Sequence, residues 1–401
     1  MLRGCGLCLR LRHNLKPVKY VVCIPDGCAD LPVTELGGAT PLEAARTPVL
    51  DVLAARGEVG LAQVIPPGLP AGSDVGNMSI FGYDPCQYHT GRSPIEAAAL
   101  GLRLTSEQVA YRCNLVTVSD AGIMADFAGG HPNSETAAKA IAALDAELGG
   151  EVRFHAGVQY RHTMIAPADW AGAECIPPHE LSDKPVVGPQ GTAAPKLAAL
   201  EEASREVLSR FDMKANRIWL WGQGFQPDMP SFRKKHGVEA GLVSAVDLVR
   251  GIGVLTEMTV TNVEGATAWY DTNYEGKRDA ALAGLAAGAD LYAIHVEASD
   301  EAGHEGNVEE KVRCLENWDS RILADLVVGL DKMGPWRLLL LPDHATPLTL
   351  RNHTDDPVPY LLVDSQHDGP GGTYTEQGAA NTELVAGHQL MSRLLKNVAA
   401  V

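Results

Sequence analysis

Leu291–His304 reads LYAIHVEASDEAGH, and Arg337–His344 reads RLLLLPDH. Each is a strand-length apolar run that stops at polar side chains: Glu297, Asp300 and His304 in the first, Asp343 and His344 in the second. Continuous apolar runs of this length mark strands buried on both faces. Between them, Val308 to Leu330 carries apolar residues at helical spacing, as a crossover joining parallel strands does. A third run, KYVVCI from Lys19 to Ile24, stops at Pro25-Asp26-Gly27, and a fourth, Arg217 to Trp221, stops at Gly222-Gln223-Gly224. Thr47-Pro48, followed by Val49, Leu50, Leu53 and Ala54 and closed by Gly57, predicts a helix capped by Thr47. The pattern is an α/β core sheet flanked by helices, with polar residues at the edge where open α/β sheets bind ligands.

The middle of the chain differs. Asn114–Val118, the helical pattern Ser134–Leu148, and strand-like Val152–Phe154 and His162–Ala166 form a β-α-β-β series, read as a smaller inserted α+β domain. Its exit is the loop Pro177–Pro195, after which an amphipathic helix over Lys196–Phe211 leads back to the Trp219 strand. The expected division is an N-terminal extension over 1–17, a discontinuous core over 18–112 and 196–401, and an insert over 113–195.

Composition narrows the function. The 401 residues include 33 Lys+Arg against 50 Asp+Glu, a net charge of −17, so the chain lacks the basic footprint that nucleic acid or anionic lipid requires. A small anionic metabolite remains a suitable partner if metal ions or a few local cations reverse the sign inside a pocket. The runs are too short for a membrane span, and Arg3, Arg10, Arg12 and His13 interrupt the N-terminal leucines, so neither a membrane anchor nor a signal peptide is expected. The eight scattered cysteines fit a reducing cytoplasm, and Cys5 and Cys8 have no second pair at zinc-ribbon spacing.

Asp26, Asp300 and Asp343 with His304, His344 and His353 offer three carboxylates and three imidazoles, all but His353 beside predicted strand exits. That is enough to hold two metal ions. Oxygen and nitrogen donors without thiolate suit Mn²⁺, Zn²⁺ or Mg²⁺, and the residue types do not choose among them. Ser73 lies in the Gly-rich stretch Pro66–Asn77, just before a helical pattern. A serine there has unpaired backbone N–H groups around it that stabilise a phosphoryl group, and a nearby metal would make it a nucleophile.

Taken with Thr40-Pro-Leu-Glu-Ala-Ala45, Ala71-Gly-Ser-Asp74, Phe81-Gly-Tyr-Asp-Pro85, Thr90-Gly-Arg-Ser-Pro-Ile-Glu-Ala97, Asp343-His-Ala-Thr-Pro347 and Asp356-Pro-Val-Pro359, these pieces follow a known order. From about residue 18 to 395 the chain resembles the archaeal-type cofactor-independent phosphoglycerate mutases of the alkaline phosphatase superfamily. The resemblance implies a phosphatase-like core interrupted by a transferase domain that excludes water, and two Mn²⁺-like ions. It implies Asp26, Ser73, Asp343 and His344 around one ion and Asp300, His304 and His353 around the other. Ser73 would accept phosphate from 3-phosphoglycerate and return it to the 2-hydroxyl, with no free 2,3-bisphosphoglycerate, in glycolysis and gluconeogenesis.

The substrate end departs from that pattern. Family mutases carry Asp-Arg-Arg-Ala-Gly-Arg where this chain has Asp126-Phe-Ala-Gly-Gly-His131. Asp126 and His131 remain as candidate substrate contacts, with Arg92, Arg112, Arg161 and Lys277. Asp126-Phe127 with the following Gly130-His131-Pro132, Trp221–Gly224, Ser244–Asp247 and Tyr270–Lys277 resemble instead a branch proposed to phosphorylate homoserine. Phosphoglycerate mutase is the leading expectation. A homoserine-type phosphotransferase and a phosphate-ester metallohydrolase are the alternatives.

Overall fold

The computed structural model describes residues 16–396, so most of the expected N-terminal extension and the Cys5/Cys8 pair lie outside the described residues. Fifteen strands follow the chain: β1 (Lys19–Pro25), β2 (Glu58–Gln63), β3 (Gln108–Val118), β4 (Met124–Asp126), β5 (Arg153–Val158), β6 (Arg161–Pro167), β7 (Ala173–Glu174), β8 (Gln190–Gly191), β9 (Arg217–Gly224), β10 (Ala240–Val243), β11 (Thr259–Thr261), β12 (Leu291–Val296), β13 (Trp336–Leu340), β14 (Val358–Asp364) and β15 (Leu384–Ala386). Eight of them form one sheet in the order β11-β10-β12-β1-β13-β14-β2-β15. The β11 to β13 half is parallel, and β14 runs antiparallel to both its neighbours.

The sheet is buried on both faces. Alternate residues of β1 and β13 go to opposite sides: Val22, Ile24 and Leu339 into one apolar cluster, Val21, Cys23, Leu338 and Leu340 into the other. That two-sided burial is why these strands are continuous apolar runs rather than alternating ones. The crossover from β12 to β13 is helical throughout, as Val308–Asn317, a π-helical turn over Trp318–Leu323, and Ala324–Met333. It passes over β1, leaving β1 central with β12 and β13 on either side. A strand order that opens in both directions from one strand creates a crevice at its carboxyl end.

The helix after the first strand spans Pro48–Arg56 and ends at Gly57 as its spacing predicts, but Thr47 makes no side-chain cap. Asp319, from the π-helical turn, takes that role by accepting from Val49 N and Leu50 N at 3.2 and 2.7 Å. A distant carboxylate has displaced the local cap, which no local pattern encodes.

The smaller sheet is centred on β3, with β6 and then β5 on one side and β9 and β4 on the other. This corrects the expectation that the Trp219 strand belongs to the core sheet. β9 pairs antiparallel with β3, Cys113 opposite Leu220. Ile218 and Leu220 pack into the apolar cluster of the Ser134–Leu148 and Ala194–Leu208 helices, so burial fixes β9 there. The second of those helices also covers the outer edge of β9, where Ser204 Oγ accepts from Ile218 N and Glu201 Oε1 from Leu220 N, both at 3.0 Å. Among the described residues no helix is long and apolar enough to cross a membrane, and six cysteines are free.

Burial raises the Glu201 carboxyl from 4.5 to about 7, partly opposed by the Leu220 N–H and Arg217. A folded-state pKa above the unfolded one means stability falls as pH rises through the interval between them. Glu201→Gln lacks that titration. Thermal unfolding is therefore expected to show the variant gaining on the native protein from about pH 4.5 to about pH 7, then a constant difference; a pH-independent difference contradicts the assignment.

Candidate active site

The exits of β12, β1 and β13 converge, and each brings acidic or imidazole side chains. β1 ends at Asp26, β12 leads through Glu297 into the Ala298–Glu305 helix with Asp300 and His304 one turn apart, and β13 leads to Asp343 and His344. Ser73 opens the Ser73–Ile80 helix, every residue of which is buried. That helix lies so close to the β13 exit that a Cβ on Gly76 would meet the Asp343 carbonyl oxygen at 2.0 Å. Gly27, at φ +60°, has the same tightness on the other side: a Cβ there would meet Asp300 Oδ1 at 2.6 Å. Glycine at these two positions lets three ligand-bearing segments touch.

Two groups of donors result. In one, Asp26, Asp343 and His344 offer atoms within 4.8 Å of one another, and His344 Nε2 also lies 3.2 Å from Ser73 Oγ. In the other, Asp300 Oδ2 is 3.3 Å from His304 Nε2, Asp300 Oδ1 is 3.4 Å from His353 Nε2, and the two imidazole nitrogens are 2.9 Å apart. The structure thus brings together all seven residues expected around the metals. His353 reaches the site from the loop between β13 and β14, and its ring stacks on His344 at 3.9 Å between centroids.

The Thr346 hydroxyl donates its single proton to Asp300 Oδ1, so it accepts from His344 Nδ1 at 3.2 Å. His304 Nδ1 donates to Arg351 O at 3.1 Å and His353 Nδ1 to Ala71 O at 3.4 Å. In each ring Nδ1 is tied to an oxygen and Nε2 points inward, the arrangement that orients metal-ligating imidazoles. Asn77, one turn after Ser73, donates to Ser73 O at 2.9 Å and to Asp343 Oδ2 at 2.6 Å, holding the serine and that carboxylate in register.

Charge at this site is unbalanced without cations. Both oxygens of Asp26, Asp343 Oδ1, Glu297 Oε2 and Asn77 Oδ1 are buried with no hydrogen-bond partner. Burial pushes the Asp26 carboxyl well above its usual range, and Asp343 and Asp300 push it further. Burial does the same to Glu297, with Glu301 and Asp300 adding to it. For Asp300 burial also pulls upward, but His353, His304 and His344 outweigh it and hold the group low. His304 goes the other way from most buried imidazoles: burial lowers it, yet Asp300 wins and raises it to about 9. Burial lowers His344 to about 4, leaving its Nε2 bare. Orphaned acceptors, bare nitrogens and crowded carboxylates are a donor set that fits two divalent ions.

The expected substrate contacts lie along a wall beside this centre. Arg112 is buried, with Nη1 2.9 Å from Glu96 Oε1 and Nε 3.1 Å from Asn114 Oδ1, and Arg92 Nε is 3.3 Å from the same Glu96. Both guanidinium groups sit over Trp221, at 4.9 and 5.9 Å. The wall continues by edge contacts through His179, Phe127 and Tyr160 to His131, with Arg161 over Tyr160 at 5.6 Å. His179 is lowered to about 4, first by burial and then by the charges of Arg92, Arg112, His353 and His304. Asp126 accepts from Ala128 N and Gly130 N, both at 2.8 Å, and so shapes the turn that presents His131. Lys277 is not on the wall: it is fully buried behind the acidic cluster, donates to His295 O at 3.2 Å, and is lowered by burial to about 8.

Sequence reading missed Glu297, His295, Thr346, Asn77, His179 and Trp221 as members of the site. Glu297, directly at the exit of an apolar run, and Asn77, four residues past Ser73 on a helix, carried a usable signal, and Thr346 and Trp221 fall within stretches that carry the family resemblance; His295 and His179 are joined to the site only through tertiary contact.

The fold and site define an α/β protein in which two carboxylate–histidine groups flank a serine at a helix start. A family model for 2,3-bisphosphoglycerate-independent phosphoglycerate mutases matches residues 54–216. A probable enzyme of that name from Geobacter sulfurreducens is 44% identical over 399 residues, covering 94% of this chain and 100% of that one. The enzyme of that name from Methanosarcina acetivorans is 43% identical over 398 residues, with the same coverage. A solved structure from Pyrococcus horikoshii, 26% identical, superposes with a TM-score of 0.75 over 95% of this chain and 98% of that one. The chain belongs to the 2,3-bisphosphoglycerate-independent phosphoglycerate mutase family.

Because Asp26, Glu297 and His304 keep protons to unusually high pH, cations entering the site must displace them. Mn²⁺ affinity is expected to rise with pH up to about 9, with net proton release seen as buffer-dependent heat in calorimetric titration. An affinity flat across that range contradicts this reading.

Proposed function

We propose that this chain is a metal-dependent phosphoglycerate mutase that interconverts 3-phosphoglycerate and 2-phosphoglycerate through a phosphoserine on Ser73. The observation that carries the reading is Ser73 Oγ, 3.2 Å from His344 Nε2 at the start of a buried helix, in a chain 44% identical to a named relative along its length. Asp26, Asp343, His344 and Ser73 would hold one divalent cation and Asp300, His304 and His353 the other, with Mn²⁺, Zn²⁺ or Mg²⁺ all compatible with the donors. When bound, such ions favour the serine alkoxide and offset charge on the transferring phosphoryl group.

The protein's own part is positioning. Ser73 Oγ forms a bond to phosphorus as the bond to the substrate's 3-oxygen breaks, and that oxygen takes up the proton Ser73 gave up. The 2-hydroxyl then attacks the phosphoserine, releasing Ser73 Oγ, which regains a proton. Atoms balance without bisphosphoglycerate. The N–H groups of the first turn after Gly72 favour phosphate on Ser73. Glycerate must turn over between the two steps without leaving, and water must be kept out, or phosphoserine would hydrolyse.

We propose that the smaller sheet and its helices, Gln108 to Gly224, provide that enclosure, with Arg92, Arg112, His131, Arg161 and His179 facing the trapped glycerate. On this reading the insert is wider than 113–195, since β3 and β9 both belong to it. The pairing of Arg92 and Arg112 with one Glu96 favours a second reading, a phosphotransferase for homoserine, because it leaves this wall less cationic than an acid substrate suits. The proposed setting is the cytoplasm, in glycolysis and gluconeogenesis, with a small phosphorylated metabolite as partner.

Phosphorus NMR on Mn²⁺-loaded protein given 3-phosphoglycerate alone is expected to show 2-phosphoglycerate. No product despite bound metal would favour the homoserine reading, and inorganic phosphate alone a hydrolase. Ser73→Ala is expected to lower transfer by at least about a thousandfold with an unchanged circular dichroism spectrum. Full activity in that variant removes the covalent mechanism.

A further inference from the structure

We propose that Lys311 and Asp30, a fully buried ion pair outside the site, are positioning residues that hold the β1 and β13 exits at the spacing the Asp26–Asp343–His344 metal group needs. The proposal rests on the metal reading above.

Lys311, on the Val308–Asn317 helix, is 0% exposed, and its ammonium has three acceptors: Asp30 Oδ2 at 2.7 Å, Thr346 O at 2.7 Å and Ala29 O at 3.4 Å. One acceptor pair lies on the loop after β1, three and four residues past Asp26. The other lies on the loop after β13, two residues past His344. Asp30 repeats the bridge, accepting from Leu31 N at 2.8 Å on its own loop and from Leu348 N at 3.2 Å on the other. Between the two loops run Thr346 N to Ala29 O at 3.2 Å and the backbone bridges of Ala345 with Cys28 and Ala29. The same Thr346 sets the His344 tautomer and touches Asp300. Every proton of the ammonium is therefore spent on joining two segments that each carry metal ligands.

Stability alone does not account for this choice. Removing an ammonium and a carboxylate from water costs several kcal/mol each, and packed apolar residues in their place are often no worse. What an apolar pair lacks is direction. Three fixed bonds from one nitrogen set the separation of the loops to a fraction of an ångström, and outer groups that orient ligands typically account for about 10- to 100-fold in metal affinity.

Lys311→Met with Asp30→Asn tests this, because the two changes cancel in charge and the amide oxygen introduced by the second still accepts from Leu31 and Leu348. The pair is placed in two backgrounds: His304→Ala, which leaves the Asp26–Asp343–His344 group intact, and Asp343→Ala, which leaves the Asp300–His304–His353 group intact. Mn²⁺ affinity is read by calorimetry on folded protein. The expected result is about 10- to 100-fold weaker binding in the first background and a clearly smaller loss in the second, which meets the anchored loop only through Thr346 and His353. Unchanged affinity in the first, or equal weakening in both, overturns the proposal, the latter because it signals general loosening. A native protein that binds no Mn²⁺ overturns the metal reading itself, and that outcome is visible before any variant is made.

Discussion

Four carboxylates, Asp26, Glu297, Asp300 and Asp343, meet at the exits of three adjacent strands, and half of their eight oxygens, both of Asp26 with Asp343 Oδ1 and Glu297 Oε2, are buried without a hydrogen-bond donor. Bringing unpaired carboxylates out of water is among the costliest things a fold can do, several kcal/mol for each that stays ionised. Everything around them bears on that cost. Three imidazoles turn their Nε2 atoms inward, Asn77 gives its amide to Asp343, and the Lys277 ammonium is buried behind Asp26 and Glu297. None of these cancels the charge, and two divalent cations would. The site makes chemical sense as a place for positive ions, and Ser73 sits where such ions would act on it.

The sheet makes this crowding possible. β1 is covered on both faces and flanked by parallel neighbours, so its register, Ile24 opposite His295 and Cys23 opposite Leu340, fixes where each strand ends relative to the next. Ligands that follow those ends arrive at one level. The glycines at 27 and 76 then let the segments approach to contact.

The strand runs of β1, β12 and β13 and the crossover between the last two were legible from the sequence because two-sided burial leaves an unbroken apolar signature. Five of the metal-ligand candidates were legible because they fall directly after those runs; His353 follows no strand and was singled out as an imidazole nine residues past His344. Three features were not legible, each for a physical reason. β9 looks like a core strand because it is equally apolar, and only its pairing with β3 assigns it to the smaller sheet. The Pro48 helix is capped by Asp319, some 270 residues away in sequence. Arg92 and Arg112 were legible as candidate substrate contacts, but not their shared engagement with Glu96 and Trp221. Polar partnerships across long sequence separations leave no local trace.

Where cations bind decides what Ser73 can do. An anomalous difference map from a crystal of the protein grown with Mn²⁺ is the most direct measurement. It is predicted to contain two peaks, one among Asp26, Asp343, His344 and Ser73 and one among Asp300, His304 and His353. A map with no peak at these residues, or with Mn²⁺ only elsewhere on the protein, would contradict it.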